Sequence, residues 1–375
     1  MIESVTLNGF RGLEELSVPL STVTMLTGTN GVGKTSVLEA LYCLFSQSRL
    51  DVSPLSRYNK SLFINNADSK FIGANVRQNY NYKLFWDECP SYGKNSCSVN
   101  AKSNDGSTWS WKYKRAKLYD MDQQMRVLSP IAIDASSEFA LWEWDIKETK
   151  NNFNNVETAN KDLQYRSAQI LTSNGGLYLF PLATQVKSIC QYMDFTSIRI
   201  QTQKLNFQTS KQLTKALKLI DSHITDIRLK DLESGLSAVL DDMNEVSLGT
   251  LGNGAVTWAG ALMAILDVIE IKMLQPRNVP ALILIDEMGA GIHYSAMLDV
   301  WKFFREFVLL NHDIQFIFTS HSVDCVRTYC EVFNDREEAA VVRLHRTSVG
   351  EKVVPTEYKK DSFMNIIDGI WEVRG

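Results

Sequence analysis

The sequence predicts an α/β fold built around a phosphate-binding loop and interrupted by a mixed α+β insertion. A strand, a glycine-rich loop and a helical pattern follow one another near the start of the chain. Towards the other end, an apolar strand finishes in the carboxylates Asp286 and Glu287. Residues 50–245 lie between these halves and differ from them in sequence pattern, with short alternating runs separated by turn-like clusters. At roughly 150 residues per domain, the chain of 375 residues has room for two or three structural units.

The glycine-rich loop covers residues 28–35 and fits the pattern of a glycine, four residues and then G-K-[ST]. Glycines allow backbone amides to close around phosphate oxygens, and the N-terminus of the following helix adds positive potential. The ammonium group of Lys34 can reach terminal phosphates, and the hydroxyl group of Thr35 can hold Mg²⁺. The predicted nucleotide-binding residues of the loop are Gly28, Asn30, Gly31, Gly33, Lys34 and Thr35.

The composition is that of a soluble globular protein, with 45% hydrophobic and 22% charged residues. A net charge of -4 provides no global basic field, so any nucleic-acid binding would need local patches. No apolar run approaches the roughly 20 residues that span a bilayer, and the first residues do not have the pattern of a signal peptide. We therefore expect a cytoplasmic protein that does not enter the membrane.

The six cysteines form no C-x-x-C pair, which favours reduced, buried thiols. A zinc site through Cys89 and Cys97 is a weaker alternative, because no second pair of ligands is nearby.

The insertion reads as antiparallel hairpins, with a turn at 103–106 and a further strand at 128–133. Tryptophans and tyrosines alternate there with basic residues, namely Lys112, Lys114, Arg115 and Lys117. Such a surface could stack on bases and neutralise phosphates, whereas packing within the sheet is the simpler interpretation. No sustained heptad pattern predicts a coiled coil.

The second half of the predicted site begins at the apolar strand 280–285, which reads as a buried parallel strand. Ligands bind where such strands end, so Asp286 is predicted to hold the Mg²⁺ shell and Glu287 to polarise the attacking water. Another buried strand ends in a polar cluster that contains His321. A glycine-rich segment, Gly252-Asn253-Gly254, precedes a long helical pattern, and Gly291 to Ser295 follows the two carboxylates.

Taken in order, and with the turn Asn8 to Gly12 upstream of the loop, these motifs resemble the RecF/SMC/OLD-like group of ABC-type AAA ATPases. The resemblance implies an ABC-type P-loop ATPase head formed by residues 1–49 and 246–375, with 50–245 inserted between them. It departs from the family at Asn253, where an acid is usual, and after Glu287, where a second acid is missing. Gln47 and Gln78 are both candidates for the Q-loop.

In that family, Arg11 would contact a phosphate or the ribose, although a solvated turn cation is an equal alternative. Gly252, Asn253 and Gly254 would bind the γ-phosphate of ATP held by another protomer, which implies a homodimer or a higher homo-oligomer. His321 would sense the γ-phosphate and, with Glu287, form the catalytic pair. The implied ligands are ATP and Mg²⁺.

The sequence is similar to stand-alone ATPase subunits of bacterial phage-defence systems such as PARIS, Septu and RloA/AbiL-like pairs. That similarity implies a nucleotide-driven switch that controls a separate effector protein, for which a nuclease is one candidate. A RecF-like ATPase that grips DNA directly is the alternative. A transporter ATPase fits less well, because the insertion is large and the transporter signature is missing.

Overall fold

The computed structural model describes residues 1–45, 91, 94, 96–117, 138–147, 165–172, 177–179, 189–194, 207–231, 235–273, 279–347 and 352–368. The chain divides into two compact units. We call Met1, Pro19–Leu38 and Lys187–Gly375 the parallel-sheet unit, and Ile2–Val18 with Glu39–Val186 the antiparallel-sheet unit.

The strands of the described residues are β1 (Ile2–Phe10), β2 (Leu13–Pro19), β3 (Val23–Thr27), β4 (Ser96–Ser103), β5 (Thr108–Lys117), β6 (Glu138–Lys147), β7 (Tyr165–Thr172), β8 (Leu177–Leu179), β9 (Ile189–Asp194), β10 (Ile224–Asp231), β11 (Gly235–Leu240), β12 (Glu245–Ser247), β13 (Ala281–Asp286), β14 (Ile314–Thr319), β15 (Ala339–Arg346) and β16 (Val353–Tyr358). The helices are α1 (Lys34–Phe45), α2 (Phe207–Leu217), α3 (Asn253–Met273), α4 (Tyr294–Leu310), α5 (Val323–Phe333) and α6 (Lys360–Ile367).

The parallel-sheet unit is built on a six-stranded sheet in the order β16-β15-β3-β14-β13-β9. All neighbouring pairs are parallel except β15 and β16. Every residue of β3, β13 and β14 is buried, as expected for parallel strands covered on both faces. The carboxyl ends of these strands therefore meet at one edge, and the α/β fold predicted from the sequence is confirmed.

Aromatic side chains fill the core between this sheet and its helices. Trp301 on α4 lies with its ring centroid 5.0 Å from that of Phe318 and 5.2 Å from that of Tyr329. The indole nitrogen of Trp301 donates to the carbonyl oxygen of Cys325 at 3.1 Å, so its polar atom is satisfied although the side chain is fully buried. These contacts fix α4 and α5 against the central strands.

Tyr329 connects α5 to two strands of the sheet. Its hydroxyl oxygen lies 3.0 Å from the carbonyl oxygen of Val23 and 3.1 Å from that of Ala340. Burial raises the pKa of this phenol well above its ordinary value, so the hydroxyl keeps the proton that it donates. Val23 begins β3, the strand that leads into the phosphate-binding loop.

The long helix α3 crosses the core of the same unit. Residues 254–273 are long and apolar enough to cross a membrane by length and hydropathy, a segment that the sequence inspection did not single out. Trp258, Leu262 and Ile265 are buried at 1% exposure or less, and the indole nitrogen of Trp258 donates to Ala216. The helix therefore has the contacts of a core helix in a soluble domain.

The structure divides the chain at different points from those expected. β9 joins the parallel sheet beside β13, and β10, β11 and β12 form a three-stranded sheet in the same unit. Residues from Lys187 onwards thus belong to the parallel-sheet unit and not to an insertion that ends at 245. The sequence of β9 contains Gln191 and Asp194, so it is not a continuous apolar run, and the pattern did not predict a strand of the parallel sheet here.

The antiparallel-sheet unit contains a seven-stranded sheet in the order β2-β1-β4-β5-β6-β7-β8. Trp109 and Trp111 on β5 are buried, with centroids 5.6 Å from Phe45 and 6.2 Å from Phe10 respectively. These two tryptophans therefore pack within the unit. The side chains of Lys112, Lys114, Arg115 and Lys117 and the predicted strand at 128–133 lie outside the described part of the chain.

Replacement of Tyr329 by phenylalanine tests the connection between α5 and the sheet. We expect Tyr329→Phe to lower the free energy of unfolding by about 1–3 kcal/mol, because buried carbonyl groups lose a donor. Urea denaturation measures the change. Tyr294→Phe makes the same chemical change at a residue that is 70% exposed, and we expect it to change stability by less than about 0.5 kcal/mol. Equal stabilities of the two variants would contradict the assignment.

Candidate nucleotide-binding site

The glycine-rich loop follows β3 directly and leads into α1. Gly28 has a φ of 135°, and a Cβ atom at this position would lie 2.2 Å from the carbonyl oxygen of Leu344 on β15. Only glycine fits this approach of two backbones. Thr29, Asn30 and Gly31 are exposed to solvent, so the backbone of the loop is accessible to a ligand.

Lys34 is buried at 6% exposure although it is a lysine. Its Nζ atom donates to the carbonyl oxygens of Gly28 at 2.8 Å and Thr29 at 3.1 Å. Burial lowers the pKa of Lys34, and the negative charges of Glu287 and Asp286 oppose that shift. The ammonium group is thus held inside the loop, beside the carboxylates at the end of β13.

The carboxylate of Asp286 is 1% exposed and accepts hydrogen bonds from three hydroxyl groups. Thr35 donates to Oδ1 at 3.1 Å, Thr319 donates to the same oxygen at 2.5 Å, and Tyr192 donates to Oδ2 at 3.0 Å. These donors come from α1, β14 and β9. The structure therefore brings together Thr35 and Asp286, the two metal-binding residues predicted from the sequence, although 251 positions separate them.

The sequence interpretation gave no role to Tyr192 or Thr319. Thr319 closes an apolar strand immediately before Ser320 and His321, and that position was the available signal. Tyr192 pairs with Leu284 in the register of β9 and β13, which places it on the same face of the sheet as Asp286. Only the pairing of these strands reveals the contact.

Glu287 follows Asp286 and has a φ of 57°, an uncommon conformation for a residue other than glycine. Its carboxylate Oε2 lies 2.5 Å from Nδ1 of His321. The side chain of His321 is 59% exposed and that of Glu287 is 27% exposed, so both can be reached from solvent. The two residues predicted to be catalytic are thus in direct contact.

The segment Gly252 to Gly254 lies at the N-terminus of α3. Gly252 is exposed, has a φ of 99°, and has open space where a Cβ atom would be. At Gly254, in contrast, a Cβ atom would lie 2.2 Å from the carbonyl oxygen of Gly291. Gly254 therefore permits close packing of α3 on the loop after β13, a structural role that the sequence interpretation did not include.

Arg11 also has a partner within its own unit. Its Nη1 atom lies 2.7 Å from Oε2 of Glu39, a fully buried carboxylate on α1. Arg11 adopts a positive φ of 51° in the turn between β1 and β2. The guanidinium group is therefore not a freely solvated turn cation, and its contact with a nucleotide remains a prediction.

The oxygen-rich environment of Asp286 suits Mg²⁺ better than a softer metal, since Mg²⁺ prefers oxygen ligands and keeps several of its waters. Within the described residues, no group of three or more histidine, cysteine or acidic side chains could hold another metal ion. Cys97 is buried, whereas Cys89, Gln47 and Gln78 lie outside the described residues. The donors present thus fit a triphosphate with Mg²⁺.

Comparison with known proteins agrees with this geometry. Residues 1–124, which contain the glycine-rich loop, match the family model of the AAA ATPase domain. The chain is an ATPase. It is also 22% identical to an ATP/GTP phosphatase of Helicobacter pylori, in an alignment that covers 96% of this chain and 95% of the relative.

Removal of the Lys34 ammonium group tests the phosphate-binding loop. We expect Lys34→Ala to abolish ATP binding. The melting temperature should stay close to that of the wild type, because the variant loses two hydrogen bonds but is also relieved of the cost of burying a charge. Titration with a fluorescent ATP analogue measures binding. The control, Lys302→Ala, removes an exposed ammonium group from the same unit and should bind normally. Unchanged nucleotide affinity in Lys34→Ala would rule out the loop as the site.

Neutralisation of Glu287 separates binding from hydrolysis. We expect Glu287→Gln to bind ATP and to hydrolyse it at least about 100-fold more slowly, the scale of a lost general base. Single-turnover release of phosphate provides the measurement. Glu270→Gln, at an exposed position on α3, is the matched control. A wild-type rate in Glu287→Gln would refute the assignment of its carboxylate.

Proposed function

We propose that the protein is an ATP-hydrolysing switch subunit that binds ATP between two copies of itself and relays the nucleotide state to a separate effector protein. The observation that carries this proposal is the contact between Glu287, just after β13, and His321, just after β14. If a γ-phosphate breaks this contact, the site would have two states, one in which Glu287 and His321 are paired and one in which they are apart.

The proposed chemistry uses residues from three strand ends. The amides of the loop and the ammonium group of Lys34 would bind the phosphates, and Thr35 and Asp286 would hold Mg²⁺. When bound, Mg²⁺ neutralises charge on the phosphate oxygens. Glu287 would orient and polarise the attacking water. The left-handed backbone of Glu287 aims its carboxylate away from the strand, towards His321.

The switch would follow from competition for His321. Its imidazole now holds the carboxylate of Glu287, and a γ-phosphate is a competing acceptor for the same ring. Arrival of the phosphate would transfer the histidine to the nucleotide and release the carboxylate for the water. Loss of the phosphate would restore the pair, so the local geometry would differ between ATP and product.

A second copy would complete the site. The exposed Gly252 and the first amides of α3 form a helix N-terminus, which is a favourable environment for a phosphate. In ABC-type ATPases this segment faces the nucleotide of the partner. We therefore infer a homodimer or a higher homo-oligomer that ATP tightens, because a ligand that bridges two copies stabilises the assembly.

The biological setting that we propose is anti-phage defence in the bacterial cytoplasm. Its support is the resemblance of the ordered motifs to stand-alone ATPase subunits of such systems, in which the effector, a nuclease for example, is a separate protein. Because the Helicobacter pylori relative is named an ATP/GTP phosphatase, GTP should be tested as a substrate alongside ATP. A RecF-like DNA clamp has less support, because Trp109 and Trp111 are buried and not available to stack on bases.

Co-purification tests the relay to an effector. The chain and the product of its neighbouring gene would be expressed together, with Glu287→Gln as the variant that retains ATP. We expect nucleotide-dependent co-elution, stronger in Glu287→Gln than in Lys34→Ala. If instead the isolated chain binds duplex DNA with a steep salt dependence and no protein co-elutes, the DNA-gripping alternative is favoured.

Mixed dimers test the composite site. Asn253→Trp places a bulky side chain in the first turn of α3, where it would obstruct the phosphate of a partner's nucleotide, and it leaves the contact of Gly254 intact. We expect Asn253→Trp to bind ATP without hydrolysing it. Mixed with Lys34→Ala, it should regain about one working site per dimer, measured as ATPase activity of the mixture against each variant alone.

The control for this mixture is Gly249→Trp, which adds the same side chain at a nearby position where a Cβ atom would meet only the hydroxyl of Ser247 at 3.8 Å. It should remain active alone. A mixture that stays inactive, together with a monomeric mass in ATP, would defeat the composite site.

A further inference from the structure

We propose that Thr319 is a positioning residue that holds both carboxylates of the hydrolytic site, Asp286 through its side chain and Glu287 through its backbone. The inference rests on the proposed roles of these two acids and assigns a function to a residue that lies in the polar cluster with His321 and to which the sequence interpretation gave no role of its own.

Thr319 lies at the centre of the site's framework. It is the last residue of β14, which runs between β3 and β13, and it pairs with Leu26, two residues before the phosphate-binding loop. It is fully buried. Its own carbonyl oxygen accepts from the amide of Met288 at 2.7 Å. The backbone of Thr319 is therefore fixed on both sides, and its hydroxyl group has a defined direction.

The hydroxyl group of Thr319 makes two hydrogen bonds of opposite sense. It donates its proton to Oδ1 of Asp286 at 2.5 Å and accepts from the amide of Glu287 at 2.9 Å. A hydroxyl group has one proton and two lone pairs, so both bonds can exist together. One oxygen atom thus fixes the side chain of the first acid and the main chain of the second.

The bond to Glu287 acts where the backbone is strained. A residue other than glycine in the left-handed region persists only when its surroundings hold it there. The amide of Glu287 would lose its partner if the hydroxyl group were removed, and relaxation of the backbone would turn the carboxylate away from His321. A displacement of about 1 Å in a reacting group can reduce a rate by about 100-fold.

Tyr192 provides a comparison within the same site. It also donates to Asp286, but to the other oxygen, Oδ2, at 3.0 Å. The hydroxyl group of Tyr192 thus contacts the first acid, whereas that of Thr319 contacts both. If Thr319 acted only through Asp286, loss of either hydroxyl group would have a similar effect on turnover. If it acts through both acids, its loss is the more damaging.

The experiment compares kcat and KM for ATP in Thr319→Val, Thr319→Ser and Tyr192→Phe, each made in the full chain. Valine has nearly the shape of threonine without the hydroxyl group, and serine restores that group. We expect Thr319→Val to lower kcat roughly 10- to 100-fold with little change in KM. Thr319→Ser should return kcat to within about threefold of the wild type, and Tyr192→Phe should reduce kcat less than Thr319→Val.

Thr319→Cys provides a second test in case the valine variant misfolds, because cysteine is of similar size and has a weaker donor. Its kcat should fall between those of the serine and valine variants. Binding of a fluorescent ATP analogue without Mg²⁺ verifies that each variant is folded. An unchanged kcat in Thr319→Val, a serine variant as slow as valine, or equal losses in Thr319→Val and Tyr192→Phe would overturn the inference. Full turnover in Glu287→Gln would instead point to failure of the roles on which it rests.

Discussion

The carboxylate of Asp286 is the group around which the site is arranged. It is buried at 1% exposure, and three hydroxyl donors from α1, β9 and β14 surround it. A buried charge is costly unless hydrogen bonds replace its hydration, so these donors are a requirement of the fold as well as of the chemistry. Their presence ties the end of β13 to both neighbouring strands and to the helix after the phosphate-binding loop. The parallel sheet thus brings distant segments to one point, where each supplies a donor to the same carboxylate.

A second level of organisation lies in the turn that follows Asp286. Glu287 adopts a left-handed backbone, and the amide of Met288 returns to the carbonyl oxygen of Thr319. The two acids therefore share β14 as a support but point in different directions, one into the buried site and one towards the exposed His321. This separation is what the proposed roles need, because Asp286 would hold a metal shell while Glu287 would act on a water molecule. It would also allow the contact between Glu287 and His321 to change while the buried contacts stay in place.

The glycines at the edges of the site act through close approach of backbones. Gly28 lies against Leu344 of β15, and Gly254 lies against Gly291 in the loop after β13. A side chain at either position would push apart two segments of the parallel-sheet unit. For Gly254 this finding adds a structural requirement to a motif glycine, because α3 packs closely on its own chain at this position. A substitution of Gly254 would displace α3 and would therefore not be a clean test of contact with a partner's phosphate. The ion pair of Arg11 with Glu39 is comparable, because a residue predicted to meet a nucleotide already has a buried partner.

The sequence by itself determined the α/β class, the phosphate-binding loop and the ends of β13 and β14, because local patterns carry that information: continuous apolar runs predict buried parallel strands, and fixed spacings mark the loop. It could not determine that β9 lies beside β13, or that Tyr192 reaches Asp286, because β9 has polar residues within a short strand and a strand's neighbours are set by long-range pairing. The sequence also did not reveal that Ile2–Phe10 pairs with Ser96–Ser103 in a different unit from the loop it precedes. Only the tertiary structure decided these matters, since each depends on which distant segments bury their surfaces together.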